Sequence, residues 1–114
     1  AAVDCGVVVN PTGARNQVEG GVLDGIGHAM YSDFSFKNGK PDSKNFDTYR
    51  LIRMNETPKV DVYFVKNNLS PTGLGEPGLP PAGGAVANAI NAALGKRIYS
   101  QPFVKELNKS SVLG

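Results

Sequence analysis

The sequence predicts an α+β fold in which a small mixed or antiparallel sheet packs with two main helices. Three observations carry this prediction. Two segments show apolar residues at helical spacing, two others are rich in β-branched and aromatic residues, and the two kinds do not alternate regularly. A doubly wound sheet would require such alternation. The 114 residues, 40% of them apolar, suffice for one core.

Two strands and one hairpin are expected. Residues 7–9 (V-V-V) are a β-branched run that ends at an Asn-Pro-Thr-Gly turn, which favours a buried strand. Residues 60–65 (V-D-V-Y-F-V) favour a second strand. Between residues 34–36 and the stretch after Lys40, the Asn38-Gly39 pair is a strong hairpin-turn signal.

The first helix is expected to begin at Asn16, because Asn16 followed by Glu19 resembles a capping box. Apolar residues then follow at helical spacing, namely Val18, Val22, Ile26, Ala29 and Met30. The same segment contains Gly20, Gly21, Gly25 and Gly27. Each interior glycine costs a helix about 1 kcal/mol relative to Ala. Tertiary contacts must therefore hold this helix, and we expect another backbone or a flat ligand to pack very close to it.

The second helix is expected to carry Pro81 in its first turn. Its apolar stripe consists of Ala82, Ala85, Val86, Ala89, Ile90, Ala93 and Leu94. Gly95 is expected to end the helix, with Lys96 and Arg97 at its negative end. We expect one domain over residues 1–104, followed by a C-terminal tail over residues 105–114.

Composition and motifs argue against several function classes. The net charge is +2, and lysines and aspartates are interspersed rather than gathered in a basic stripe, so no nucleic-acid partner is expected. The sequence contains no run of eighteen consecutive apolar residues, so no membrane span is expected, and no signal peptide is visible. The Gly-rich segment over residues 20–25 has the spacing of neither a Walker A motif nor a GxGxxG fingerprint, and the sequence contains no GxSxG motif.

Cys5 and His28 are the only cysteine and the only histidine. The chain alone therefore forms neither an internal disulfide nor a His/Cys metal site. Cys5 lies in an apolar run, which favours a buried and inert thiol. His28 lies near the end of the first helix, where a structural or solvent-facing role is the usual one.

Glu76 is the best candidate for chemistry. It is a charged residue inside a loop, residues 71–81, that contains four prolines and three glycines. A carboxylate held among apolar neighbours and shielded from water binds its proton more tightly, which suits a general base. The alternative is a solvent-facing Glu in a surface turn, and the residues alone favour that alternative.

Three motifs in a fixed order support the catalytic interpretation of Glu76. They are residues 3–11 (V-D-C-G-V-V-V-N-P), residues 16–27 (N-Q-V-E-G-G-V-L-D-G-I-G) and residues 73–81 (G-L-G-E-P-G-L-P-P). Together they resemble the molybdenum-cofactor-binding large subunit of the xanthine oxidase and aldehyde oxidoreductase family. The similarity is greatest to beta subunits of isoquinoline 1-oxidoreductase and related aldehyde dehydrogenases. It extends over residues 3–103 and implies the final segment of a subunit several times longer.

The resemblance implies a fragment of a molybdenum hydroxylase that oxidises an N-heteroaromatic or aldehyde substrate with water-derived oxygen. Glu76 corresponds to the family's catalytic base. Gln17 corresponds to the glutamine that hydrogen-bonds the pterin of molybdopterin, a contact for which an amide supplies donors and an acceptor. No metal ligand is expected in this chain. The cofactor is expected in the intact subunit, and neither cofactor binding nor activity is expected of the chain alone.

The resemblance also implies partners: the remainder of the large subunit, an iron–sulfur small subunit and a small-molecule substrate. Cysteine usage does not fix the compartment, and the resemblance implies bacterial periplasm or cytoplasm, with the periplasm slightly favoured. Two alternatives remain. The first is that the chain is a non-catalytic packing domain of a larger subunit, and the second is that it is a small independent binding protein.

Overall fold

The structure, a computed structural model, describes residues 1–110 and confirms the predicted α+β class. Its elements in chain order are β1 (Ala2–Val3), α1 (Pro11–Tyr31), β2 (Phe36–Lys37), β3 (Lys40–Pro41), a 3₁₀ turn (Met54–Glu56), β4 (Tyr63–Phe64), α2 (Pro80–Leu94) and α3 (Phe103–Ser110). Strand β1 pairs in parallel with β4, and β2 pairs antiparallel with β3, so the strands form two separate pairs. The expected tail begins inside α3, and its residues 111–114 lie outside the described part of the chain.

Helix α1 begins earlier than the capping-box pattern predicts. Its N-cap is Asn10, whose Oδ1 accepts a hydrogen bond from the Gly13 N–H at 3.0 Å. Pro11 suits the first helical position, because the N–H that it lacks would have no helical partner there. Asn16 therefore lies inside the helix, and the cap predicted there is wrong.

The strand predicted at residues 7–9 is also wrong. Val9 is 81% exposed, and the segment has no strand pairing. The physical reason is Gly6, which has a positive φ of 70° and packs so close to the Ser70 carbonyl that a side chain would collide with it. This turn ends the strand at Val3. Of the second predicted strand, only Tyr63–Phe64 pairs with a neighbour.

The hairpin and the second helix are confirmed. Asn38 and Gly39 both have positive φ, 52° and 75°, as a type I′ turn requires. Helix α2 ends at Gly95, which takes a left-handed φ of 64° and donates its N–H to the Asn91 carbonyl at 2.8 Å.

The hydrophobic core cluster lies between α1, α2 and α3, and its buried members are Ala29, Ile98 and Phe103. Other apolar side chains are buried outside this cluster, namely Cys5, Val18, Val62 and Ala82. Cys5 is a buried free thiol, as predicted. Within residues 1–110, no helix combines the length and the apolar character needed to cross a membrane.

The glycines of α1 allow the loop before α2 to lie against the helix backbone. A Cβ added at Gly25 would lie 2.5 Å from the Leu79 carbonyl oxygen and 2.8 Å from the Ala82 Cβ. A Cβ at Gly21 would lie 3.6 Å from the Gly78 Cα. Of the two expected kinds of neighbour, a second backbone is the one that the structure shows. Gly20, in contrast, faces open space.

This difference predicts opposite effects for two identical substitutions. Gly25→Ala should lower the free energy of unfolding by about 1–3 kcal/mol, because the new methyl group overlaps Leu79 and Ala82. Gly20→Ala should raise it by up to about 1 kcal/mol, because the helix gains propensity without a clash. Urea unfolding of both variants measures the two changes, and an equal change in both would contradict the packing described above.

A second prediction concerns Glu56 at the 3₁₀ turn. The Arg53 N–H donates to Glu56 Oε2 at 2.8 Å, and the Arg50 guanidinium pairs with Oε1. The Arg53 hydrogen bond, and then Arg50, hold the pKa of the Glu56 carboxyl below its usual value of 4.5. A carboxyl whose pKa is lowered by folding stabilises the fold above its unfolded pKa, and this contribution is lost as the pH falls through the folded pKa.

We therefore expect Glu56→Gln to lower the melting temperature slightly at neutral pH, with the difference from the parent chain disappearing in strongly acidic buffer. Thermal unfolding across this pH range is the measurement. Asp47→Asn, at an exposed carboxylate elsewhere in the same long connection, is the control and should show no comparable trend. A difference that is constant with pH would show that ionisation of Glu56 contributes nothing to stability.

Candidate functional site

The loop that carries Glu76 lies along one face of α1. Gln17, Gly21 and Gly25 follow one another at intervals of four residues, so they line a single face of the helix. Residue 75 contacts the first of them, residue 78 the second and residue 79 the third. The loop therefore follows the helix surface from the Gln17 side chain to the glycines.

Gln17 and Glu76, the two predicted site residues, are brought to the same cleft. Gln17 Nε2 donates a hydrogen bond to the Gly75 carbonyl oxygen at 2.5 Å, so the amide lies one residue away from Glu76. The cleft has a volume of about 350 Å³. Its lining residues are Asn16, Gln17, Gly20, Gly21, Asp24, Gly75, Glu76, Leu79 and Pro80.

The backbone at Glu76 is held while its side chain faces solvent. The Leu79 N–H donates to the Glu76 carbonyl oxygen at 3.0 Å, which closes a turn around Pro77 and Gly78. The Glu76 side chain is exposed. The shielding from water expected for a general base is therefore not supplied by residues 1–110.

Gln17 also borders a second cleft on its other side. That cleft has a volume of about 360 Å³ and is lined mainly by apolar residues, among them Val7, Val8 and Leu74. Gln17 and Gly75 line both clefts, so the hydrogen bond between them forms part of the wall that separates the two spaces.

His28 and Cys5, the remaining candidates for chemistry, do not line the cleft that contains Glu76. His28 is exposed on α1, with Nδ1 3.1 Å from Ser32 Oγ and Nε2 3.6 Å from Asp24 Oδ1. Cys5 is buried. Among residues 1–110, no three His, Cys, Asp or Glu side chains come together in a way that could hold a metal ion. The polar side chains that line the cleft are the amides of Asn16 and Gln17 and the carboxylates of Asp24 and Glu76.

Two cleft residues were missed from the sequence. Asn16 was interpreted as a helix cap, and Asp24 was not considered for the site. Both line the cleft with Gln17 and Glu76. Asp24 could have been found by helical spacing, because a residue seven positions after Gln17 lies on the same face of a helix.

The fold occurs within large redox enzymes. Quinoline 2-oxidoreductase from Pseudomonas putida 86 matches it with a TM-score of 0.77 at 22% sequence identity, over 89% of this chain and 14% of that one. Identity this low supports the fold alone.

The family is shown by sequence. A model of the molybdopterin cofactor-binding domain matches residues 1–58, half of the chain, and the chain belongs to this family. The matched residues include Gln17 and all of α1, whereas Glu76 lies beyond them.

Curated relatives match over most of the chain. The membrane-bound aldehyde dehydrogenase (pyrroloquinoline-quinone) of Gluconacetobacter polyoxogenes is 40% identical over 100 residues, 88% of this chain. The isoquinoline 1-oxidoreductase subunit beta of Brevundimonas diminuta is 32% identical over 102 residues, 90% of this chain. The chain spans 13% of the length of each of these relatives. It corresponds to a fragment of the molybdopterin-binding subunit of the molybdenum hydroxylase and aldehyde oxidoreductase family.

Proposed function

We propose that this chain contributes one wall of a molybdenum hydroxylase active site, with Glu76 as the catalytic base and Gln17 as a contact to the cofactor. One observation carries the proposal: a hydrogen bond joins the Gln17 amide to the Glu76 loop at the edge of the open cleft that Glu76 lines. The substrate class proposed is an N-heteroaromatic ring or an aldehyde.

The residues present fit part of a molybdopterin site. An amide group has two N–H donors and a carbonyl acceptor, and Gly75 occupies one of these donors. The second N–H and the oxygen of Gln17 therefore suit the donors and acceptors of a pterin. Gly20 lines the same cleft without a side chain and faces open space, so a flat ring can approach the helix backbone there.

The cofactor, when bound, would supply the acceptor for the two electrons of the oxidation and the activation of the water-derived oxygen. The role proposed for Glu76 is to accept a proton from that oxygen. Its carboxylate is placed on a turn closed by the Leu79 N–H, and its side chain is free to reach into the cleft. A base of this kind accelerates proton transfer when it lies within hydrogen-bond reach of the proton.

The choice of cofactor and partners follows the family. The molybdopterin cofactor-binding family matches residues 1–58, which include the Gln17 helix, and this match supports molybdopterin as the cofactor rather than the pyrroloquinoline quinone in the name of the Gluconacetobacter polyoxogenes relative. The proposed partners are the remainder of the large subunit and an iron–sulfur small subunit. Residues 1–104 are then part of the cofactor-binding domain, and the boundary proposed at residue 105 falls inside α3.

The base role predicts a large loss of turnover in the large subunit that contains this segment. Glu76→Gln should lower kcat by about 10²–10⁴-fold, because the amide keeps the shape but accepts no proton at neutral pH. Asp24→Asn, which neutralises the other carboxylate of the cleft, is the matched control and should keep kcat within a few-fold of the parent. Steady-state kinetics, normalised to molybdenum content, measures both. Normal turnover in Glu76→Gln would show that Glu76 is not the catalytic base.

The open geometry predicts that the 114-residue chain alone retains no cofactor. Its cleft covers only one side of a ligand, and ligand sites generally bury most of the ligand surface. Elemental analysis of the purified chain should therefore find far less than one molybdenum per chain. Stoichiometric molybdenum would contradict the proposal that most of the site lies elsewhere in a larger subunit.

A second candidate is a packing domain without a catalytic residue. The observation that favours it is the α2 stripe, of which Ala85, Ala89 and Leu94 are exposed, Leu94 by 66%. An uncovered apolar stripe is typical of a surface that docks on another segment. This candidate and the base role are separated by the Glu76→Gln experiment, because only the base role requires the carboxylate.

A further inference from the structure

The Glu76 loop is held at its two ends by different kinds of contact. At its far end, Gly78 lies so close to α1 that an added Cβ would be 3.1 Å from the Val18 carbonyl oxygen. At its near end, nothing lies within 4 Å of a Cβ built on Gly73 or on Gly75. The loop is therefore closely packed at Gly78, whereas the Cβ directions of Gly73 and Gly75 are open.

The contact that compensates for this open space is the side chain of Gln17. Its Nε2 donates to the Gly75 carbonyl across 58 positions of sequence. Towards the N-terminus, the Thr72 N–H donates a hydrogen bond to the Cys5 carbonyl oxygen at 3.0 Å. Residues 73 and 74 lie between these two hydrogen bonds, so Gln17 decides where the segment that enters Glu76 is placed.

We propose that Gln17 is a positioning residue for Glu76, in addition to its proposed contact with the cofactor. One N–H of the amide orients the Gly75 peptide, and the other N–H and the oxygen remain for a ligand. A ligand that binds these remaining groups thereby meets a base whose loop is held by the same side chain. This inference rests on the proposed function for its catalytic meaning, but the tether itself is a property of the chain without cofactor.

The test is amide hydrogen exchange of the 114-residue chain, observed by NMR. The reporter is the Leu79 N–H, which bonds the Glu76 carbonyl, and the reference is the Gly95 N–H at the end of α2. Gln17→Met keeps the length of the side chain and removes the donor. It should lower the protection of Leu79 by about 2- to 10-fold, the effect of losing one hydrogen bond, while Gly95 is unchanged.

Two further variants make the result specific. Asn16→Leu removes the neighbouring amide of the same cleft and should leave Leu79 protected as in the parent chain. Gln17→Lys supplies a different N–H donor on a long side chain and should restore most of the protection lost in Gln17→Met.

The proposal is overturned if Leu79 protection in Gln17→Met equals that of the parent, or if Leu79 and Gly95 lose protection equally, which indicates general destabilisation. If Gln17→Met does not fold, the Gln17→Lys chain decides: parent-like protection of Leu79 supports the tether, and selective loss overturns it. No turnover enters this experiment. A failed tether therefore leaves the base role of Glu76 intact, and a failed Glu76→Gln prediction leaves the tether intact.

Discussion

The close approach of the α1 backbone to the loop before α2 determines the geometry of the whole cleft. At Gly25, the helix lies so near the Leu79 carbonyl that not even a methyl group fits between them. Gly21 and Gly78 continue the contact one turn earlier. The loop can approach α1 this closely only because Gly21 and Gly25 have no side chains. The position of Glu76 therefore depends on the glycines of one helix face.

That arrangement has a thermodynamic cost that the fold recovers elsewhere. A helix with several interior glycines is poor by itself, since each costs about 1 kcal/mol relative to Ala. Other residues of α1 supply the compensation. Val18 and Ala29 are each 1% exposed, and Asn10 caps the first turn. The helix is therefore maintained by its tertiary packing, and a change that loosens the packing of α2 should also affect α1.

The sequence predicted what depends on local chemistry and missed what depends on distant contacts. The Asn38-Gly39 turn and the Gly95 cap were predictable because positive φ is confined to few residue types. The strand at residues 7–9 was predicted wrongly, because Gly6 bends the chain against Ser70, which lies far along the sequence. The start of α1 was misplaced because two asparagines compete as caps, and Pro11 favours the earlier one.

The candidate site was predictable as two residues and not as a geometry. Gln17 and Glu76 could be named from motifs, whereas the hydrogen bond between Gln17 and Gly75 spans 58 positions and has no local signal. Asp24 was recoverable from helical spacing once Gln17 was chosen. Its place in the cleft depends on the loop of residues 75–80, which packs against α1 and forms the other wall.

Two features that seem unrelated in the isolated chain have one physical explanation. Glu76 is exposed to water, although a general base is most useful where water is excluded. Apolar side chains are exposed as well, with Val9 at 81% and Leu94 at 66%. A covering segment that removes these side chains from water gains hydrophobic free energy at about 25 cal/mol per Å². If the same segment also covers the cleft, the stabilisation of the assembly and the exclusion of water from the proposed base have one source, because both require a surface that residues 1–110 do not provide.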